Sequence, residues 1–237
     1  MKLSISGTYS AGKTSTVIAL SHYTGVPRTL AKTIREIMPA AVPGKSLAEV
    51  TPAEYLQIAM RRHTGRAVAE AVLGEEFISD GSSLQEWIYG AARVHYGMNP
   101  SATAQIERVA PGDLTDEMRF FQAVIEQYGH AFRQHVKSTF DAFVHLRNEQ
   151  KLTNDGHRPM NERFRNFCDD MLLSTLDQLE IPHWVIGGTM PERLTTITEI
   201  FELPTVMSVD DAIELTNADY AAIDKRLETT RAAAAAG

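Results

Sequence analysis

The chain has one cysteine among its 237 residues, Cys168, so an internal disulfide framework and a cysteine-rich zinc site are both excluded. That residue reads as part of a packed helix face rather than as a nucleophile. No apolar run approaches the roughly 20 residues needed to cross a bilayer, so no membrane partner is expected. Positive charge is scarce as well. Lysine and arginine total 23 against 30 acidic residues, and the net charge of −7 argues against nonspecific nucleic-acid binding. Basic residues cluster only at Arg61-Arg62 and between Arg158 and Arg165. The histidines show no HExxH pairing or other ligand spacing. Neither an internal repeat nor a convincing linker divides the sequence, so residues 1–237 read as one domain. A strand beginning at residue 2 leaves no room for a signal peptide, and a cytoplasmic location is expected.

What the chain does have stands close to its start. Gly7-Thr8-Tyr9-Ser10-Ala11-Gly12-Lys13-Thr14 fits the pattern G-x-x-x-x-G-K-[ST]. Apolar Leu3 and Ile5 precede it as a strand, and Thr16 to Ser21 follow as a helix. In that setting glycines let the backbone curl, N–H groups point inward, and the helix N-terminus adds positive potential. The backbone of Gly7, Ser10, Ala11, Gly12, Lys13, Thr14 and Ser15 would cradle phosphates, with Lys13 reaching the outer ones. The Thr14 hydroxyl would hold a magnesium ion. The expected cofactors are ATP and Mg2+; the N-K-x-D signature that reads guanine is absent.

Strand and helix signals alternate along the rest of the chain, which favours an α/β fold with a mostly parallel sheet. The patterning predicts five strands: Lys2 to Ser6, a short or merely extended segment Arg28 to Thr33, Glu75 to Ser79, Phe140 to Leu146, and His183 to Ile186. Helices are expected after the first strand to about Tyr23, then from Thr51-Pro52-Ala53-Glu54 to about Leu73, where threonine, proline and glutamate form an N-terminal signature. Further helices are expected over 83–96, 113–138, 160–179, 191–201 and 209–231, with an irregular stretch from Tyr96 to Pro111.

Ligands of such sheets bind beyond the carboxyl ends of the strands. After the third strand comes Asp80, which can hold magnesium through water or take a proton from an attacking hydroxyl. An ordinary Asp-Gly turn is the competing explanation. Arg35 and Glu36 read either as substrate contacts or as an exposed ion pair. Arg158 and Arg163 suit a loop that closes over a transferring phosphoryl group, because guanidinium forks match phosphate oxygens; a solvated helix start is the alternative. Gly188 offers close backbone approach to an adenine, or simply a turn. Trp87 and Tyr96 can stack on a base, although aromatics at helical spacing often belong to the core.

Taken in order, the loop, Arg35-Glu36, Asp80-Gly81-Ser82, the Asp155-Gly156-x-Arg158 segment and Gly187-Gly188-Thr189 resemble the NadR-type ribosylnicotinamide kinase domain and the wider AAA-like ATP-binding group. Asp80-Gly81-Ser82 is also similar to the Asp-Arg-Ser stretch of deoxynucleoside kinases, except that Gly81 stands where they carry arginine. The resemblance implies a three-layer α/β/α sandwich of the P-loop NTPase class, with a five-stranded sheet and an arginine-bearing lid. It implies transfer of the γ-phosphoryl group of ATP to a hydroxyl of a small nucleoside-like molecule. Lys13, Asp80, Arg158 and Arg163 would be catalytic, and Arg35, Glu36, Trp87 and Tyr96 would line the acceptor pocket. No adenylyltransferase half precedes the domain, so the expected activity is kinase-like only. The alternative is an ATP-hydrolysing or nucleotide-dependent regulatory module without a small-molecule acceptor. A homodimer is the assembly to test for.

Overall fold

The computed structural model describes residues 1–29, 32, 34–105, 108–149, 151–152 and 160–222. The chain runs β1 (Lys2–Ser6), α1 (Lys13–Thr24), α2 (Ile34–Ala41), α3 (Pro52–Leu73), β2 (Phe77–Asp80), α4 (Ser83–Tyr96), α5 (Asp116–Thr139), β3 (Ala142–Leu146), α6 (Glu162–Gln178), β4 (His183–Ile186), α7 (Met190–Phe201) and α8 (Val209–Ala222). The strands form one parallel sheet in the order β2-β1-β3-β4. β1 therefore has partners on both sides. From β1 the chain passes to β2 on one side, then crosses to β3 on the other, so the winding reverses between β1 and β3. A ligand crevice is expected at such a switch point.

Side-chain alternation sorts the two faces. Leu3, Ile5, Ile78, Val144 and Ile186 pack with α1, α7 and α8, whereas Phe77 and Phe143 turn to the opposite face and join α3 to α6. On that second face β1 presents Ser4 and Ser6, both fully buried, and β3 presents His145. Small and polar groups thus line the sheet directly beneath the phosphate loop.

Five strands were expected, and four form among the described residues. Arg28 makes one parallel bridge to Ile78, with Thr29 N–H donating to the Ile78 carbonyl, but no ladder develops among the described residues. Pro27 has no N–H to donate, and the Ile78 N–H binds its carbonyl instead. Between the expected segments ending at Thr33 and beginning at Thr51, where no helix was foreseen, the chain forms α2, so Arg35 and Glu36 lie in a helical first turn. Pro39 is the sixth of the helix's eight residues, and its missing N–H leaves the Arg35 carbonyl without the usual i−4 donor.

The N-terminal signature before α3 forms as expected. Thr51 Oγ1 accepts from Glu54 N–H at 3.3 Å, and a Glu54 oxygen accepts from Thr51 N–H at 2.9 Å. Lys45 clasps the same carboxylate at 2.7 Å, and its hydrogen bond helps hold the Glu54 pKa below the usual carboxylate range. Thr51→Ala is expected to cost about 1 kcal/mol in chemical denaturation; an unchanged midpoint would show that the cap contributes nothing.

Candidate active site

Between β1 and α1 the backbone curls through two glycines that no other residue can replace cheaply. Gly7 has φ 143° and a Cβ there would meet Ala11 Cβ at 3.0 Å and the Leu146 carbonyl at 3.1 Å. Gly12 has φ 84°, and its Cβ would stand 3.0 Å from Arg193 Nη1. Lys13 opens α1 and folds its Nζ onto the Thr8 carbonyl at 2.9 Å. The helix N-terminus and the lysine converge on the same curl, a suitable place for anionic oxygens.

Asp80 ends β2 next to this loop. The Thr14 hydroxyl donates to Asp80 Oδ2 at 2.6 Å, joining the two expected magnesium ligands. Behind Asp80 lies a buried charged group the sequence reading did not assemble. Arg66 donates to the Asp80 carbonyl at 2.6 Å, and Arg62 and Arg66 both approach Glu86 Oε1, at 2.9 and 3.4 Å. Burial works to raise the Glu86 carboxyl, yet the two guanidiniums outweigh it and hold its pKa below the ordinary value. The sequence signal was available: Arg62 and Arg66 share one helix face at i, i+4 spacing. Arg66 carries that positive charge up to the backbone of Asp80.

A chain of polar contacts forms the back wall on the β3 side. Thr8 donates to Asn148 Oδ1 at 3.0 Å, and Asn148 in turn donates to Asp169 of α6. Asp169 also faces His145 Nε2 at 3.4 Å, while His145 Nδ1 contacts Ser6 Oγ at 3.2 Å. This Ser-His-Asp row is a strut and not a nucleophilic triad, because Ser6 is wholly buried under the loop. From α7, buried Arg193 donates to the Ala11 carbonyl at 2.9 Å and stands 3.5 Å from Glu149. Glu149 accepts from Gly188 N–H at 2.8 Å, so Gly188 joins the same arrangement. The contacts of Arg193, Asn148 and Glu149 span long sequence separations, and no local pattern foretold them.

Toward α4 and α6 the surroundings of the loop are aromatic. Tyr9 of the loop stacks on Tyr89 with centroids 4.7 Å apart and faces Phe164 at 6.3 Å. Burial pushes the Tyr9 phenol well above its usual range, which Arg93 offsets only in part, so it stays protonated. Tyr96 meets Phe164 and Phe167 edge-on, each at 5.8 Å. Beyond them opens a cleft of about 500 Å³ lined by Tyr96, Arg108, Arg163, Asn166, Phe167 and Asp170. The structure thus brings Tyr96 and Arg163 together. The irregular stretch after Tyr96 is pinned: Thr103 donates to the Tyr96 carbonyl, Val109 N–H to His95, and Asn161 Nδ2 to Pro100. Trp87 lies elsewhere, its ring against Gly129 of α5 with the Arg133 guanidinium 4.9 Å above. Glu36 is exposed on α2. Arg158 and the rest of its Asp155-Gly156-x-Arg158 segment lie outside the described residues, as does the Arg35 side chain.

Comparison with known proteins fits this geometry. A family model described as an AAA domain matches residues 2–193. Two solved structures of deoxyadenosine kinase from M. mycoides, one with bound dCTP and one with the products dCMP and a flexible dCDP, share the fold. Each is 15% identical with a TM-score of 0.52, covering 85% of this chain and 99% of the other. No curated protein gives a match. Among the described residues no helix is long and apolar enough to cross a membrane. With its phosphate loop at the switch point of a parallel sheet, and the family model spanning most of its length, the chain belongs to the AAA domain family of P-loop proteins.

Proposed function

We propose that this protein is a kinase that moves the γ-phosphoryl group of ATP onto a hydroxyl of a nucleoside-like acceptor. One observation carries the reading: the Asp80 carboxylate stands 2.6 Å from the Thr14 hydroxyl, at the mouth of the phosphate loop and beside Lys13. Two hard oxygen donors suit magnesium, which rarely takes an all-protein cage and completes its shell with water and phosphate oxygens. When bound, the ion would neutralise charge on the outer phosphates.

The chain's own groups divide the remaining work. Amides of Gly7 and of Ser10 through Ser15 bind the polyphosphate, and Lys13 draws charge from its outer end. Asp80 orients the acceptor hydroxyl or accepts its proton, with its backbone fixed by Arg66. Arg158 and Arg163 clamp the transferring group, and the Gly187-Gly188 turn lies against the base. Arg193 and Asn148 act as positioning residues, since they hold the Ala11 carbonyl and the Thr8 hydroxyl of the loop.

The deciding experiment is ADP release from MgATP, measured with and without a panel of nucleosides. Stimulation by an acceptor is the expected result. Turnover that ignores every acceptor would overturn the proposal in favour of an ATP-hydrolysing module.

A further inference from the structure

A carboxylate stands in α6 where packing alone would favour an amide or an apolar side chain. The Asp169 side chain is 16% exposed, and its Oδ1 is buried with no hydrogen-bond partner among the described residues. His145 Nε2 approaches that oxygen to 3.4 Å without completing a hydrogen bond. Leaving one oxygen of a buried acid unsatisfied is destabilising, so stability alone does not account for the residue. What it holds does.

Its other oxygen accepts from Asn148 Nδ2, and Asn148 Oδ1 accepts from the Thr8 hydroxyl at 3.0 Å. Both donors therefore point along one line toward the carboxylate. An ionised carboxylate can only accept, so it fixes the Asn148 amide in one orientation and gives Thr8 one direction in which to donate. Each bond polarises the next, and a fixed charge at the end strengthens the run. Thr8 is also the residue whose carbonyl holds Lys13 Nζ at 2.9 Å. An ammonium carries three donors, so a bond to Thr8 aims the group without consuming it.

A second arm steadies the same stretch. His145 Nδ1 contacts Ser6 Oγ at 3.2 Å while the ring's other nitrogen faces Asp169. Ser6 and Thr8 flank Gly7, whose φ of 143° and lack of a side chain mean that this turn has to be held from outside. One carboxylate on α6 thus reaches both neighbours of the glycine that opens the loop. We infer that Asp169 is a positioning residue for Lys13: through Asn148 and Thr8 it aims the ammonium at the outermost phosphate of the nucleotide. The consequence for transfer rests on the kinase reading above; the consequence for binding does not.

The test compares two ligands on the full-length protein by calorimetry with magnesium: ADP and a nonhydrolysable ATP analogue, which differ in the outermost phosphate. Asp169→Ala should weaken the triphosphate about tenfold, the worth of one hydrogen bond to a charged group, and change ADP affinity less than about twofold. A residue that merely supported the fold would weaken both alike. In a Lys13→Ala background the same substitution should leave triphosphate affinity within about twofold, because nothing remains to be aimed. A melting curve checks that each variant is folded. Asn148→Ala cuts the same relay at a half-buried position and gives a second reading should Asp169→Ala fail to fold. Equal losses for the two ligands, unchanged affinities, a loss that persists without Lys13, or no nucleotide binding by the wild type would overturn the inference. A lysine-dependent loss in a protein whose ADP release ignores every acceptor would sink the kinase reading and leave this inference standing.

Discussion

Lys13→Ala should lower phosphoryl transfer by a factor of about 10³ without unfolding the protein, in line with losing one charged group that stabilises the transferring phosphate. The expectation of an intact fold has a structural basis. Lys13 lies at the start of α1, outside both buried clusters, and its ammonium bonds the Thr8 carbonyl at 2.9 Å. A hydrogen bond of that kind contributes about 1 kcal/mol, and alanine is the residue most favourable to a helix. Alanine still supplies the backbone N–H that lines the loop. Residual triphosphate binding should therefore be detectable by calorimetry after turnover has gone. Full activity in this variant would discredit the phosphate assignment, because no other lysine lies in the loop.

Asp80→Asn carries the second large effect. The amide keeps the shape of the side chain, and its oxygen can still accept from the Thr14 hydroxyl, while Arg66 continues to hold the backbone carbonyl. Only the negative charge and the proton-accepting capacity are lost. Turnover should fall by a factor of about 10² to 10⁴ if the carboxylate acts as a base. A magnesium titration separates the two roles. If the carboxylate chiefly supports the metal, high magnesium restores much of the rate; if it takes the proton, the deficit persists at saturation. Wild-type turnover in Asp80→Asn would remove this residue from the chemistry altogether.

Legibility followed locality. β1, α3 and α4 have the expected extents because their signals are contiguous: apolar residues before a glycine turn, a Thr-Pro-Ala-Glu start, a Leu84–Trp87–Ile88–Ala91 stripe. Helix α2 was hidden by Pro39, which reads as a breaker but stands inside the helix, near its C-terminal end. Among the described residues near Arg28 one bridge forms and no ladder, because sheet formation depends on a partner's free hydrogen-bonding edge, which local sequence does not report. In the site, Lys13, Thr14 and Asp80 were readable from motif and strand end. The contacts from Thr8 to Asn148 and from Arg193 to Ala11 bridge 140 and 182 positions, and such pairs exist only once the chain has folded. Trp87 shows the converse: its spacing fitted a pocket as well as a core, and helix packing against Gly129 decided the matter.

Strand order also fixes a length. β4 lies two places from β1, with β3 between them, and neighbouring strands stand about 4.8 Å apart. The turn after β4 is consequently about 10 Å sideways from the turn after β1. A molecule that touches both must be at least that long, which inorganic phosphate is not. A ligand in contact with both turns therefore has to be about as long as a nucleotide.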